Sequence, residues 1–468
     1  MYFRKMLIYA CLILLLIFLS LKLFLMFYTQ DNSKNDENIS KSFQEKKKLI
    51  MNNFNSLKGK IKLNKHTSHL YRPRVNDNQK LNLNFLQRVI EVDLRENWVH
   101  VEGLMTYRDL IKFTLECGKI PLVVPEFSSL TVGGVISGVG LESSSFKYGL
   151  TYDTAIEYTV LCGDGVIRIA NESTNKELFD AIPNSYGSFG YILSAKIKLR
   201  DYKPYLELES VKFNSIRSFI DAIKNYCSMD NIDFIDGFIN SKDEMYLLVG
   251  KMVNGVAPGT HLEKFVEDIY YKRTMMTDKI YMKIEDYFWR YDYNCFYLGG
   301  IFENKLLREF LGEQLRSDKI KKIGELCNFA YNSRESIIND LGVSLDNLPD
   351  FLDWYDENIK VYPVWICPYR IQRDTYFFEE KGSLMVDFGI GFGVNKERHN
   401  DDPNYYKKII DKKMFDLRAK KGLYSTTFLS EEEFWILYGP EEKYMKLKEK
   451  YDPGDRFYNL YEKSVISV

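Results

Sequence analysis

The chain has no surplus of basic residues: Lys and Arg number 64 against 65 Asp and Glu, a net charge of -1. With nothing to neutralise a phosphate backbone, nucleic acid is excluded as a partner. Its seven cysteines, Cys11, Cys117, Cys162, Cys227, Cys295, Cys327 and Cys367, contain no Cys-x-x-Cys pair. That argues against a zinc knuckle or a thioredoxin-type site. An odd, scattered set points to reduced thiols in a cytosolic compartment. Of five histidines only His66 and His69 lie close together, and a structural or solvated role is expected for them rather than a metal site. Proline is scarce, at 12 residues, and neither a Pro/Gly/Ser linker nor a repeat of solenoid length divides the chain. Its length predicts two or three domains.

Standard nucleotide motifs are missing as well. Gly138-Val139-Gly140 is followed by Ser143 where the dinucleotide fingerprint needs glycine, and Gly389-Ile390-Gly391 by Val394. No glycine cluster precedes a Gly-Lys-Ser/Thr, so a P-loop is excluded.

What is present begins with an apolar run, residues 6–28, long enough to span a bilayer as a helix. A cleaved signal peptide is the competing reading, but the run exceeds a typical apolar core and no small-x-small site follows it. Residues 29–52, polar from Gln30 to Lys48, read as a tether. Lys34, Lys41 and Lys46 to Lys48 after the span outnumber Arg4 and Lys5 before it, which places the catalytic portion on the cytosolic side.

The rest reads as an α+β chain of two domains, 53–202 and 203–468. Val89 to Asp93 and Trp98 to Glu102 alternate as strands. Thr106 is the N-cap of an amphipathic helix running to about Cys117. Leu122 to Val124 is a short apolar run closed by Pro125. Ile156 to Cys162 and Val166 to Ala170 flank the hairpin signal Gly163-Asp164-Gly165. Strands are expected at Ile192 to Leu199, Leu206 to Phe213, Asp233 to Ile239, Met245 to Val249, Ile359 to Cys367 and Leu384 to Gly389. Helices are expected at Ser215 to Cys227, Tyr405 to Lys421, Glu431 to Leu437 and Glu441 to Lys450. Lys251 to Asn332 shows no usable period.

The most informative stretch runs from Pro125 to Gly149, with Gly133, Gly134, Gly138 and Gly140 behind a short strand. Without Cβ atoms such backbone can approach a ligand closely and aim N–H groups at an anion. A helix beginning near Gly134 would add its positive end to a diphosphate. A glycine-rich tight turn is the competing account. The order of features here — strand, Thr-x-x-Asp-Leu helix, apolar run and proline, Thr131-Val-Gly-Gly134, Tyr148-Gly149 — resembles the FAD-binding domain of the vanillyl-alcohol-oxidase superfamily, the PCMH type. Within it the block Thr131 to Leu150 looks like the Δ24-sterol reductases. So do Asn184 to Lys198, the run Val361-Tyr-Pro-Val-Trp-Ile-Cys-Pro368, and Glu432-Glu-Phe-Trp435.

The resemblance implies a PCMH-type domain of two α+β subdomains, a C-terminal α+β substrate or cap domain, and one N-terminal transmembrane helix in the endoplasmic reticulum. It implies FAD held by Thr131, Val132, Gly133, Gly134, Val135, Ile136, Ser137, Gly138, Val139, Gly140, Leu141, Glu142 and Ser143. The Gly-Gly-x-His loop of covalent flavoproteins is absent before Leu81, so the FAD is expected to be non-covalent. The implied reaction is reduction of the C24=C25 bond of a sterol side chain, with NADPH restoring the flavin. Candidate proton donors are Glu142, Lys147, Tyr148 and Tyr362, with Tyr362 and Cys367 lying in the segment expected to face the flavin. Many relatives carry histidine where this chain has Phe146. Alternatives that stay open are a sugar or lactone oxidase on the same fold and a membrane flavin or sterol carrier without catalysis.

Overall fold

The computed structural model describes residues 19–20, 22–24, 26, 37–65, 69–72, 79–264, 268–293, 304–326, 334–378, 381–395 and 402–465. Most of the expected anchor, 6–28, lies outside them, as does His66. Among the described residues no helix is long and apolar enough to cross a membrane.

The expected tether is corrected first. Phe43–Ser56 is a helix, opened by a Ser42–Glu45 capping box. Its charge run hides an inward stripe: Ile50 and Phe54 are buried, and Lys46 pairs with buried Glu102 at 2.8 Å. One lysine of a run that reads as solvated therefore points into the protein.

Next come β1 (Lys62–Asn64) and β2 (Lys80–Asn82), a parallel pair. They are followed by β3 (Val89–Asp93), β4 (Trp98–Glu102), β5 (Lys119–Pro121), β6 (Ala155–Cys162), β7 (Ile167–Ala170) and β8 (Gly190–Asp201). These six form one sheet, ordered β3-β4-β8-β6-β7 with β5 on the far end of β8. The helix Tyr107–Glu116 buries Tyr107, Leu110, Ile111 and Thr114, one face at helical spacing, and Thr106 caps it. The short apolar run Leu122 to Val124 follows directly on β5 and is not itself a strand. Gly118, at φ +73, turns the chain straight from that helix into β5.

A second sheet holds β9 (Tyr205–Phe213), β10 (Phe234–Ser241), β11 (Glu244–Val253), β12 (Lys279–Lys283), β13 (Arg334–Ser344), β14 (Val364–Arg370) and β15 (Leu384–Asn395). Its order is β12-β9-β11-β10-β14-β15-β13, antiparallel throughout. β13 and the helix Leu348–Asn358 were not legible. The strand expected from Ile359 starts only at Val364, because Ile359 and Lys360 still donate to the Tyr355 carbonyl. The helix expected to reach Lys421 ends at Asp416. Arg418 takes φ +53, and Lys421 then bridges to Leu341 on β13.

Alternation gives this sheet two different faces. One face, with Ile235, Val364, Ile366, Val386 and Phe388, packs under the helices Ile216–Tyr226, Leu348–Asn358 and Tyr405–Asp416. The other, with Phe238, Trp365 and Tyr369, shares a core with the first sheet. The helices Glu431–Tyr438 and Glu441–Tyr451 return to that shared core, where the Tyr444 and Phe189 rings lie 4.8 Å apart.

Candidate functional site

A cavity of about 1060 Å³ opens between the two sheets. Its wall is the glycine segment. Val132–Gly138 is a short helix, and Val139 ends it at φ 60. The cavity is lined by Gly133, Gly134, Val135, Ser137, Gly138, Val139, Gly140 and Leu141. The other five expected contact residues do not line it. Val132 and Ile136 are buried in the shared core, and Thr131 accepts from Lys65 Nζ at 2.8 Å. Ser143 accepts from Tyr287 Oη at 2.8 Å, and Glu142 is paired elsewhere.

The glycines divide by task. Gly133 donates its N–H to the Gly103 carbonyl at 2.8 Å, and a Cβ on it would lie 2.9 Å from that oxygen. Its bareness serves packing against β8. Among the described residues the Gly134 N–H has no backbone acceptor. A Cβ there would meet only the ends of the Thr131 and Lys65 side chains, at 2.8 and 3.0 Å. Gly134 is thus the glycine whose backbone faces the cavity beside a cation.

More cations stand along the same wall. Arg72 donates to the Leu423 carbonyl at 2.8 Å and lies over the Tyr186 ring; Lys463 donates to the Tyr186 carbonyl at 3.0 Å. Burial together with the like charges of Lys448 and Arg72 holds the Lys463 amine well below its ordinary range. An anion placed there would relieve that repulsion. His69 also lines the cavity, bonded to Ser129 Oγ at 2.8 Å and stacked on Phe127. Sequence reasoning missed Lys65, His69 and Arg72 because the contacts that give them meaning come from residues up to several hundred positions away.

The floor is the second sheet. Asp236 sits at its centre, buried, and accepts from Tyr291 Oη at 2.6 Å and Trp365 Nε1 at 3.3 Å. Arg290, 1% exposed, bridges Asp236 at 3.0 Å and Glu142 at 2.7 Å, with its guanidinium over the Tyr287 ring at 3.9 Å. Glu142, offered above as an FAD contact and as a proton donor, is therefore a clasp between the two halves. Burial, the largest cause, still raises its pKa despite Arg290.

The other proton-donor candidates also fall away from the cavity. Lys147 donates to the Asp230 carbonyl at 2.7 Å, and Tyr148 accepts from Arg200. Tyr362 donates to Asp356 at 2.9 Å, and Cys367 is fully buried within the sheet. Phe146 packs in the core on the far side of the second sheet, away from the cavity.

The acids that line the cavity are Glu126, Asp340, Asp387, Glu432 and Glu441, and the first three lie together at the second sheet. Burial raises Asp340 to about 6, against a hydrogen bond from Tyr424 that pulls it down. Burial raises Glu126 and Asp387 well above the carboxylate range, with the other carboxylates adding to it. Asp387 was within reach of the sequence: it is an acid inside the apolar run Leu384 to Gly389.

Sequence comparison bears on the wall and the floor together. An FAD binding domain family matches residues 63–171, which contain the whole glycine segment. The Delta(24)-sterol reductases of Macaca fascicularis and Homo sapiens are each 27% identical over 398 residues, covering 81% of this chain and 76% of theirs. That of Arabidopsis thaliana is 25% identical over 451 residues, covering 82% and 76%. The chain is a relative of the Delta(24)-sterol reductases. It is an FAD-dependent oxidoreductase. The residues present suit that cofactor: the Gly134 N–H and Lys65 for its diphosphate, Arg72 and Lys463 as further cations beside it, and glycine backbone that lets a flat ligand lie against the wall.

Proposed function

We propose that this protein reduces the C24=C25 double bond of a sterol side chain, using FAD without a covalent link and NADPH as the source of hydride. One observation carries the reading. The likeness to Delta(24)-sterol reductases extends over four-fifths of the chain, far beyond the matched FAD domain at 63–171. The cavity supports it, because an aromatic and aliphatic floor (Trp365, Tyr369, Met385, Ile390) faces the glycine wall across one space. A hydrocarbon tail can lie there out of water.

Bound FAD supplies hydride at this site, once reduced by NADPH. The chain's own residues do the rest. Gly134, with Val135 and Ser137 to Leu141 behind it, holds the cofactor against the wall. Arg290 ties the glycine segment to the second sheet through Glu142 and Asp236. Trp365 and Tyr369 hold the alkene in a dry environment. The route for NADPH is the same cavity, after the sterol product has left.

The catalytic part is held at a membrane, the endoplasmic reticulum, by the apolar run 6–28. Its described residues Leu19, Leu23, Phe24 and Met26 are exposed. Removing residues 1–30 should release protein that still binds FAD; continued flotation with vesicles would count against that anchor. The function itself is tested by NADPH oxidation. A Δ24-sterol should accelerate it several-fold and yield the C24–C25 saturated product. Oxidation unaffected by sterol but matched by oxygen uptake would put the protein among the oxidases instead.

A further inference from the structure

We propose that Asp387 is the acid that protonates the alkene, with Asp340 and Glu126 as the carboxyl groups that feed it; this rests on the reductase reading above.

The floor of the cavity is built in rows by strand register. Cys367 and Gly342 flank Asp387, and Trp365 and Asp340 flank Gly389. Residues two apart on one strand share a face, so Asp387 and Gly389 look into the cavity together. The bareness of Gly342 beside Asp387 makes room for the Tyr369 hydroxyl and the Lys420 carbonyl, 2.6 and 3.3 Å from where a Cβ would lie. Asp387 is 1% exposed, lines the cavity, and its Oδ2 has no hydrogen-bond partner. The contrast with Asp236, on the same face two strands away, is direct. Asp236 has Arg290, Tyr291 and Trp365 to hold its charge; among the described residues no lysine or arginine pairs with Asp387.

Its other titratable neighbours are Asp340 on β13, Glu126 in the loop before the glycine segment, Cys367 and Tyr369 on β14, and Tyr424, which donates to Asp340. None of them brings a positive charge. Three carboxyl groups in so dry a space cannot all ionise, so the set retains protons at neutral pH. A carboxylic acid kept neutral by an apolar site is a known way to hold a transferable proton.

The step balances. The Asp387 O–H bond breaks as a C–H bond forms at C24, using the π electrons. Positive character at C25 then accepts hydride from the reduced cofactor. Asp387 is left as a carboxylate and regains a proton from water by way of Asp340 and Glu126. Each turnover takes one hydride from NADPH and one proton from solvent.

The holoenzyme and its Asp387→Asn variant test this, since amide and acid have the same shape. The variant should keep full FAD content and a wild-type rate of flavin bleaching by NADPH. Reoxidation of the reduced flavin by a Δ24-sterol should fall by roughly 10²–10⁴-fold. Asp387→Glu, which keeps an acid, should recover part of it. Reoxidation at the wild-type rate in Asp387→Asn would overturn the proposal. Infrared spectroscopy needs no substrate and so separates this claim from the reductase reading. At neutral pH wild-type protein should show a protonated-carboxyl band that Asp387→Asn lacks. Spectra that are identical in that region would also overturn it. A wild-type protein that shows the band but ignores sterols would instead refute the reductase reading alone.

Discussion

The wall and the floor of the cavity are built from different materials. The wall works through backbone: Gly134 offers an N–H, and the glycines around it allow close approach. The floor works through side chains carried by four separate strands, where Asp236, Asp340 and Asp387 have chemistry only because register brings them together. Backbone function leaves a local trace in sequence, since only glycine serves. Side-chain function assembled across a sheet leaves single residues far apart. The two regions also handle charge in opposite ways. The wall gathers cations that suit an anionic ligand, while the floor gathers acids, of which, among the described residues, Asp236 alone is paired with a cation.

Arg290 is that cation, and its loss should have the largest effect. Arg290→Met leaves Glu142 and Asp236 buried without the cation they share, at an expected cost of about 3–5 kcal/mol in stability. Chemical denaturation measures it. The triple change with Glu142→Gln and Asp236→Asn should recover most of the loss, because the stranded charges go too. A single variant as stable as wild type would show that the two halves do not depend on this clasp.

Next in size is a pair of glycines one residue apart. Gly133→Ala forces a Cβ against the Gly103 carbonyl and should destabilise by about 1–3 kcal/mol, while protein that folds keeps its flavin. Gly134→Val should do the reverse. Losing one charge-assisted hydrogen bond, worth about 1.5–3 kcal/mol, weakens FAD binding roughly tenfold or more. FAD content per folded molecule, read beside the melting temperature, separates the two. Equal flavin loss in both would erase the division of tasks between these neighbours.

That division was only half legible. The glycine segment, the Thr106 cap, the hairpin at Gly163 to Gly165 and the strands β3, β4 and β9 all follow from local pattern. The separate roles of Gly133 and Gly134 depend on Gly103 and Lys65, which sequence does not place. Glu142 reads as a cavity residue by position, yet Arg290, out of a stretch with no usable period, draws it away. Phe146 reads as a departure at the site, and the short helix Ser145–Tyr148 turns it into the far core instead. Asp387 was the detectable omission. An acid in the middle of an apolar strand needs a reason, and here the reason is the cavity.

A smaller effect is expected from the floor's acidity. Asp340 has its pKa raised to about 6 in the folded protein, against about 3.9 in an unfolded chain. Between those values the folded state keeps a proton that the unfolded chain has released. The resulting stability is fully present below the unfolded pKa and is lost as pH rises through about 6. Wild type should therefore lose stability relative to Asp340→Asn as pH is taken from acid to neutral. A constant difference between the two across that range would mean that Asp340 is not held protonated.

The central claim is that flavin on the glycine wall and alkene on the acid floor meet in one cavity. Anaerobic mixing tests it most directly: holoenzyme reduced with NADPH is mixed with a Δ24-sterol in deuterated water. The flavin should reoxidise without oxygen, and the saturated product should carry solvent deuterium at C24. Flavin that stays reduced with sterol and reoxidises only when oxygen is admitted would contradict the account.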